Sequence, residues 1–516
     1  MTLSVSDDDG HVFVTRADIT HLACDDVVIP TGHDLEIRSH WRDALPARFR
    51  DGVVLADLGL SRVLWGTRRY AELPGTGVDG PRVWLIDTGG EGTRPISWYT
   101  DVLRDVLLAI HARDDVPRHR RARRLVALPL IGVGEGGASA RRGDVIEAVL
   151  RLLDERAAAG QDCALVLRAE RDHAAVQHVR RAARTTASSL HDEEQETLAG
   201  DLARRARAGE LALFLGAGVS TSAGLPSWKE LLSALLDRTT LAADERTAVL
   251  DLDARDAATI VVQELEANRT SLLTALREVL PQWRYGLAHA LLASLPVEQA
   301  ATTNYDTLFE SARADQDRPT AVLPFDDPSL PWLLKLHGDL HHGTGVVLTR
   351  DDYLRFGGTS GALGGVVQGM LMTRHVLFAG FSFTDENFFR LAHGARRALE
   401  SAGRKPRAFG TALELHGNPL RRRLWAGELD YVAFAQEAST SLATAARRLE
   451  IFFDRVACLA ADDASYLLDP AYSSLMSESD RALASALGAL DGVARGDGAG
   501  VSEVRELLQR LGRREG

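Results

Sequence analysis

Four short polar clusters hold most of the residues able to do chemistry, and each directly follows an apolar run. Gly216, Ala217, Gly218, Val219 and Ser220 follow LALFL; Asn304, Tyr305 and Asp306 follow EQAATT; His337, Gly338 and Asp339 follow WLLKL; and GFSFTD, beginning at Gly380, follows HVLFA. The first cluster has the makings of a phosphate cradle. Gly216 and Gly218 let the backbone approach a diphosphate without an intervening Cβ, and free N–H groups together with Ser220 can donate hydrogen bonds. A tight strand-to-helix turn would use the same residues. Thr221 stands where a dehydrogenase fingerprint would have its third glycine. Asn304 and Asp306 suit turns or helix caps, and for Asp306 capping or support of a neighbour is the expectation. His337, an imidazole following an apolar run, is suited to proton transfer near neutral pH. His341 and His342 have no acidic or cysteine partner at a usual ligand spacing; they read as solvent-facing loop residues, and no metal is expected.

These clusters converge if the runs are neighbouring strands of an open parallel sheet, whose ligands sit outside the carboxyl ends. Residues 211–215, 298–303, 332–336 and 375–379 are the expected strands, with helices beginning at Trp228 and covering 284–294 and 307–314. An earlier segment repeats the alternation, with strands over 12–14, 26–29, 53–55, 82–86, 125–130 and 163–167 and helices over 98–112 and 143–158. Residues 184–197 are polar and suit a linker or a surface helix. From about Ser439 the pattern turns helical, and GVARGDGAG, 492–500, reads as a flexible connection. The fold class is therefore α/β, with domains at 1–185 and 196–440 and a helical C-terminal region over 441–516.

Composition narrows the function classes. The chain has 516 residues, with 60 Lys and Arg against 72 Asp and Glu, a net charge of −12, and 45% hydrophobic residues. Such a chain can build packed cores, and its apolar runs are too short to span a bilayer. The N-terminus lacks a basic region followed by an apolar one, so a cytoplasmic location without membrane association is expected. Three scattered cysteines, Cys24, Cys163 and Cys458, supply neither a disulfide framework nor a CxxC zinc site. The acidic balance argues against nucleic-acid binding, and PRHRRARR, 117–124, reads as an exposed basic loop.

Taken together, GAGVSTSAGLPSW, TTNYDTLFE, LLKLHGDL and VLFAGFSFTDENF resemble the ordered motifs of sirtuin-like NAD-consuming domains, over about 201–432. The resemblance implies a Rossmann-like sheet with a helical insertion. It also implies that Gly216, Ala217, Gly218 and Ser220 line the dinucleotide diphosphate and that Asn304 holds the nicotinamide ribose and a water, with Asp306 alongside. His337 would be the catalytic histidine, and Gly380, Ser382 and Asp385 would lie near the adenosine half. Three cysteines cannot form the zinc ribbon of protein-deacylating sirtuins, and GLPSW replaces their GIPDFR turn. What remains resembles the bacterial anti-phage NAD hydrolases.

The first domain resembles a macro domain through RADITHLACDDVVIPTG and VALPLIGVGEGGASARRGDVIEAVL. That resemblance implies an ADP-ribose grip by Gly132, Gly134, Gly136 and Gly137, with Asp18 matching the family's early aspartate. PTGHDLEIRSHW, 30–41, stands where macro domains show an asparagine pair and a glycine triplet, which favours ligand sensing over catalytic ADP-ribose removal. The expected protein is a sensor and effector that consumes NAD as substrate, without a metal. An ADP-ribose-type signalling nucleotide at the first domain, a homo-oligomer and a phage-derived or co-encoded activator are the expected partners. NAD-dependent deacylation, ADP-ribosyl transfer and a non-catalytic nucleotide-binding module are the alternatives.

Overall fold

The computed structural model describes residues 9–89, 92, 94–134, 136–183, 192–280, 284–343, 345–359, 361–403, 408–435, 439–493 and 499–513. Its contacts divide the chain into two units: one of residues 1–118, 123–197 and 454–516, the other of 119–122 and 198–453. Of the expected helical C-terminal region, residues 454–516 group with the first unit and 441–453 with the second, and the buried side chains Tyr466, Ala471 and Tyr472 enter the first unit's core.

The first unit is built on six strands: β1 (Val12–Arg16), β2 (Asp26–Thr31), β3 (Tyr70–Glu72), β4 (Arg82–Asp87), β5 (Leu125–Pro129) and β6 (Asp162–Leu167). They run in the order β1-β6-β5-β2-β4-β3, parallel except for β3 against β4. Parallel strands covered on both faces need apolar residues on both, and every residue of β1 and β6 is buried. Helix Ile96–His111 covers the sheet with Tyr99, Val102, Leu103, Val106, Leu107 and Ile110, the spacing of a single helical face.

The strand expected at 53–55 is absent. The Val54 N–H donates to Asp57 Oδ2 at 2.8 Å, and the Leu58 and Leu60 N–H groups both donate to the Leu55 carbonyl, so a side-chain-capped turn claims these backbone groups. The basic stretch is only partly solvated: Arg120 is exposed, but Arg121 and Arg124 are withdrawn from solvent. Arg121, with 4% of its side chain exposed, pairs with Glu450 at 2.8 Å; Arg120 pairs with Glu230 at 2.8 Å; Arg124 pairs with buried Asp26. Residues 184–191 of the polar segment and 494–498 of the Gly-rich connection lie outside the described residues, while 193–197 open helix Glu193–Arg207.

The second unit has seven parallel strands: β7 (Leu211–Leu215), β8 (Gln299–Thr302), β9 (Ala321–Leu323), β10 (Trp332–Lys335), β11 (His375–Ala379), β12 (Gly410–His416) and β13 (Leu429–Ala435). Their order is β13-β12-β11-β7-β8-β10-β9. Chain order therefore departs in opposite directions from β7, towards β8 on one side and β11 on the other, and such a switch point opens a crevice at the carboxyl edge. Helices spanning Trp228–Leu236, Ala243–Leu250, Ala254–Ala267, Leu272–Val279 and Leu287–Ala293 intervene between β7 and β8. Strands β9, β12 and β13 were not expected from the sequence. Under the β11 edge, Phe214, Phe378, Phe381, Phe383 and Phe388 pack edge to face or tilted, with ring centres 4.8–6.2 Å apart.

Candidate functional site

The four polar clusters do meet at the carboxyl edge of the second sheet, but their glycines serve first to let two loops touch. The Gly216 N–H donates to the Ala379 carbonyl and the Gly218 N–H to the Gly380 carbonyl, each at 2.9 Å. A Cβ on Gly216 would lie 2.5 Å from the Gly380 carbonyl oxygen, and one on Gly218 would lie 2.8 Å from Gly380 Cα. Gly380 itself has φ +64°, and a Cβ there would come within 2.3 Å of the Val219 nitrogen. The N–H groups of Gly216 and Gly218 are consequently engaged within the protein. After Gly216 the chain enters a 3-10 helix, Ala217–Ala223, with Ala217 and Gly218 exposed.

Beside this loop, Asn304 emerges from β8. Its N–H donates to Thr302 Oγ1 at 3.0 Å, and its Nδ2 donates to the Gly216 carbonyl at 3.1 Å and to Ser220 Oγ at 3.2 Å. The amide is therefore fixed, and its buried Oδ1 has no hydrogen-bond partner. Ser220 Oγ donates to Asp306 Oδ2 at 2.9 Å, while Asp306 Oδ1 accepts the Leu308 N–H at the start of helix Leu308–Ala314. Asp306 thus accepts the first N–H of that helix, whose N-cap is Thr307, and supports Ser220.

His337 follows β10 and is 3% exposed. Its ring lies edge-on to Tyr353 and Phe356, at 5.6 and 6.0 Å. Its Nε2 is 3.4 Å from Asp385 Oδ2 without making a hydrogen bond. Burial lowers the His337 pKa and the Asp385 carboxylate partly offsets this, so the imidazole is neutral at pH 7. Asp385 accepts Tyr353 Oη–H at 3.0 Å and caps helix Glu386–Ser401. Ser382 is exposed, with Oγ 2.7 Å from Thr384 Oγ1.

Sequence reasoning missed the groups behind this edge. Lys335, wholly buried at the end of β10, lies 2.8 Å from Glu310 and 3.2 Å from Asp339, and donates to the Asp306 carbonyl. Burial opposes its charge, but these neighbours outweigh burial and raise its pKa. His289 Nε2 is 3.3 Å from Ser220 Oγ, and burial pushes its pKa down to about 4. A lone polar residue inside LAHALLA was the available signal for His289. His342 is not simply solvent-facing: its ring stacks on Phe325 at 4.2 Å, and Nδ1 lies 3.1 Å from Asp339.

The first unit carries a separate cleft of about 750 Å³ at the carboxyl edge of its sheet. Asp18, Gly132, Gly134 and Gly136 line it; Gly137, with φ +84°, is not among the lining residues. Asp18 Oδ1 already accepts the Thr20 N–H and Oγ–H, at 2.9 and 2.7 Å. Gly132 is required because a Cβ would lie 2.7 Å from the Tyr99 ring, and Tyr99 Oη–H donates to the Gly136 carbonyl. Arg38, His40 and Trp41, in the segment that departs from the macro pattern, also line the cleft.

A SIR2-like domain family matches residues 298–429, within the second unit. The matched region runs from β8 to the first residue of β13 and contains Asn304, His337 and Asp385. Among curated proteins, an NAD(+) hydrolase ThsA of Enterococcus faecium is 34% identical over 200 residues, 37% of this chain and 41% of that protein. The ThsA of Bacillus cereus (strain MSX-D12) is 29% identical, over 38% of this chain and 41% of that protein. Defense-associated sirtuin 2 of Bacillus subtilis is 24% identical, over 40% of this chain and 21% of that protein. The match thus spans about two-fifths of the ThsA relatives. A solved structure named Alphavirus P23pro-zbd aligns over 65% of this chain and 47% of its own, at 13% identity and a TM-score of 0.24, too low to bear on the fold. Among the described residues, no helix is long and apolar enough to cross a membrane, and no group of three or more His, Cys, Asp or Glu is placed to hold a metal.

Proposed function

We propose that the second unit hydrolyses NAD to nicotinamide and ADP-ribose, as an effector of bacterial anti-phage defence. The observation that carries this reading is a pair of buried atoms without hydrogen-bond partners, Asn304 Oδ1 and His337 Nε2, on loops after β8 and β10 of one sheet. Leaving such atoms unpaired costs about 1–3 kcal/mol each, a cost that substrate contacts would offset. Water attacks C1′ of the nicotinamide ribose, the C1′–N bond breaks with its electron pair leaving on nicotinamide, and the water proton passes to neutral His337. Asn304 orients the ribose and water, a positioning task that supplies much of the rate when the reacting centre is oxocarbenium-like. Ser220 and Asp306 hold Asn304 in place. The exposed Ala217 and Gly218 face the dinucleotide, and Gly380 shapes the loop beside them.

The first unit, in this reading, is a macro-like sensor whose cleft takes an ADP-ribose-type nucleotide, and activation proceeds through rearrangement of a homo-oligomer. The glycine-lined cleft supports the sensor reading, and the names of the ThsA relatives support the hydrolase reading of the second unit. Chromatography of NAD incubated with the full chain, with and without ADP-ribose-type nucleotides or phage lysate, tests the reaction. Nicotinamide and ADP-ribose are expected in equal amounts, with His337→Ala and Asn304→Ala each lowering turnover at least about 100-fold. No nicotinamide under any of these conditions, or full turnover by His337→Ala, would overturn it.

A further inference from the structure

The C-terminal segment, which carried no legible chemistry in the sequence, reaches the cleft of the first unit through one hydrogen-bonded chain. Arg142 lines that cleft at the start of helix Arg142–Ala158. Its Nη1 lies 2.8 and 2.6 Å from the two oxygens of Asp172, and its Nη2 donates to the Val133 carbonyl at 3.2 Å, inside the glycine loop. Asp172 also lines the cleft, and its Oδ1 accepts a 2.7 Å hydrogen bond from Tyr472 Oη–H, 300 positions away in the chain. Tyr472 is 2% exposed and belongs to the 3-10 helix Pro470–Leu475, capped by Asp469. That helix sits against Gly143, where a Cβ would meet Ser474 Oγ at 2.3 Å and Leu475 Cγ at 3.1 Å, so its seat is cut to shape by a glycine.

A carboxylate held only by one guanidinium can swing with it. A second donor on one oxygen removes that freedom, and charge-assisted hydrogen bonds of this kind are about twice as strong as neutral ones. We propose that Tyr472 is a positioning residue for ligand binding: through Asp172 it fixes Arg142 against the glycine loop, and so sets the cleft's preference for a phosphate-bearing nucleotide over the uncharged nucleoside. The proposal rests on the reading of this cleft as a nucleotide site. It makes the C-terminal segment a working part of the sensor.

Calorimetry on the full chain with ADP-ribose and with adenosine tests it. Tyr472→Phe is expected to weaken ADP-ribose binding about tenfold and to leave adenosine binding within about twofold of wild type. Arg142→Ala should weaken ADP-ribose at least as much, and Tyr472→Phe added to Arg142→Ala should cost nothing more, since the two act as a unit. Unchanged ADP-ribose affinity in Tyr472→Phe, equal losses for both ligands, or additive losses in the double variant would overturn the proposal. If Tyr472→Phe does not fold, Asp172→Asn takes its place, with the same non-additivity expected. If the wild-type chain binds no ADP-ribose, the nucleotide reading of the cleft itself fails, an outcome distinct from wild-type binding that Tyr472 leaves unaffected.

Discussion

At the residue scale, His337 and Asp385 decide how the proposed reaction should respond to pH. Burial lowers the His337 pKa while Asp385 raises it back in part, so the base form predominates above the ordinary histidine value of about 6.5 and becomes the minority form only at some pH below it. The acidic limb of log kcat/KM should accordingly have its midpoint below about 6.5. Asp385→Asn removes the raising charge and should move that limb to still lower pH. A limb that stays in place would show that Asp385 acts only through Tyr353 and its helix cap. His289, with a pKa pushed down to about 4 by burial, contributes no titration near neutral pH.

At the scale of elements, the loop after β7 and the loop after β11 are one interlocked pair. Their glycines are spaced like a phosphate cradle, yet the geometry needs them for backbone against backbone. Gly380→Ala combines a positive φ with a Cβ that would lie 2.3 Å from a backbone nitrogen. It should cost at least ~2 kcal/mol, read as a lowered denaturant midpoint. NAD turnover should fall as well, because the displaced loop carries Ser220 and the contact that fixes Asn304. An unchanged midpoint would show that the loops can part without penalty.

At the scale of the whole molecule, the C-terminal segment is stitched into the first unit at a buried charge cluster. Asp454 lies 2.8 Å from His11 Nε2 and 2.5 Å from Arg180 Nη2, and accepts the Val14 N–H at 3.0 Å. Burial opposes its ionisation, but Arg180 and His11 prevail and hold its carboxyl well below the usual carboxylate range. The depressed folded-state value means that its stabilisation is present above about pH 4 and is lost as pH falls below that value. Asp454→Ala would leave Arg180 buried without its counter-charge and should destabilise by about 3–5 kcal/mol, measured by denaturant unfolding of the full chain. A loss under ~1 kcal/mol would mean that water reaches the cluster.

Much of the architecture was legible because it is local. Largely apolar runs of five residues followed by Gly or His marked β7, β10 and β11 and placed their polar clusters at the carboxyl ends, and apolar residues three and four apart marked helix Ile96–His111. The 53–55 run failed because one aspartate side chain claimed its backbone, a competition that composition does not reveal. Other features depended on partners far away in the chain. Arg121 is buried against Glu450, Asp385 stands beside His337 because β10 and β11 belong to one sheet, and Tyr472 reaches Asp172 across 300 positions. The residue types and their order along the strands were determined by the sequence alone. Which glycines meet backbone, which carboxylates meet cations, and where the C-terminal segment belongs were decided by the tertiary structure, because those energies come from burial and long-range pairing, absent in any single stretch of chain.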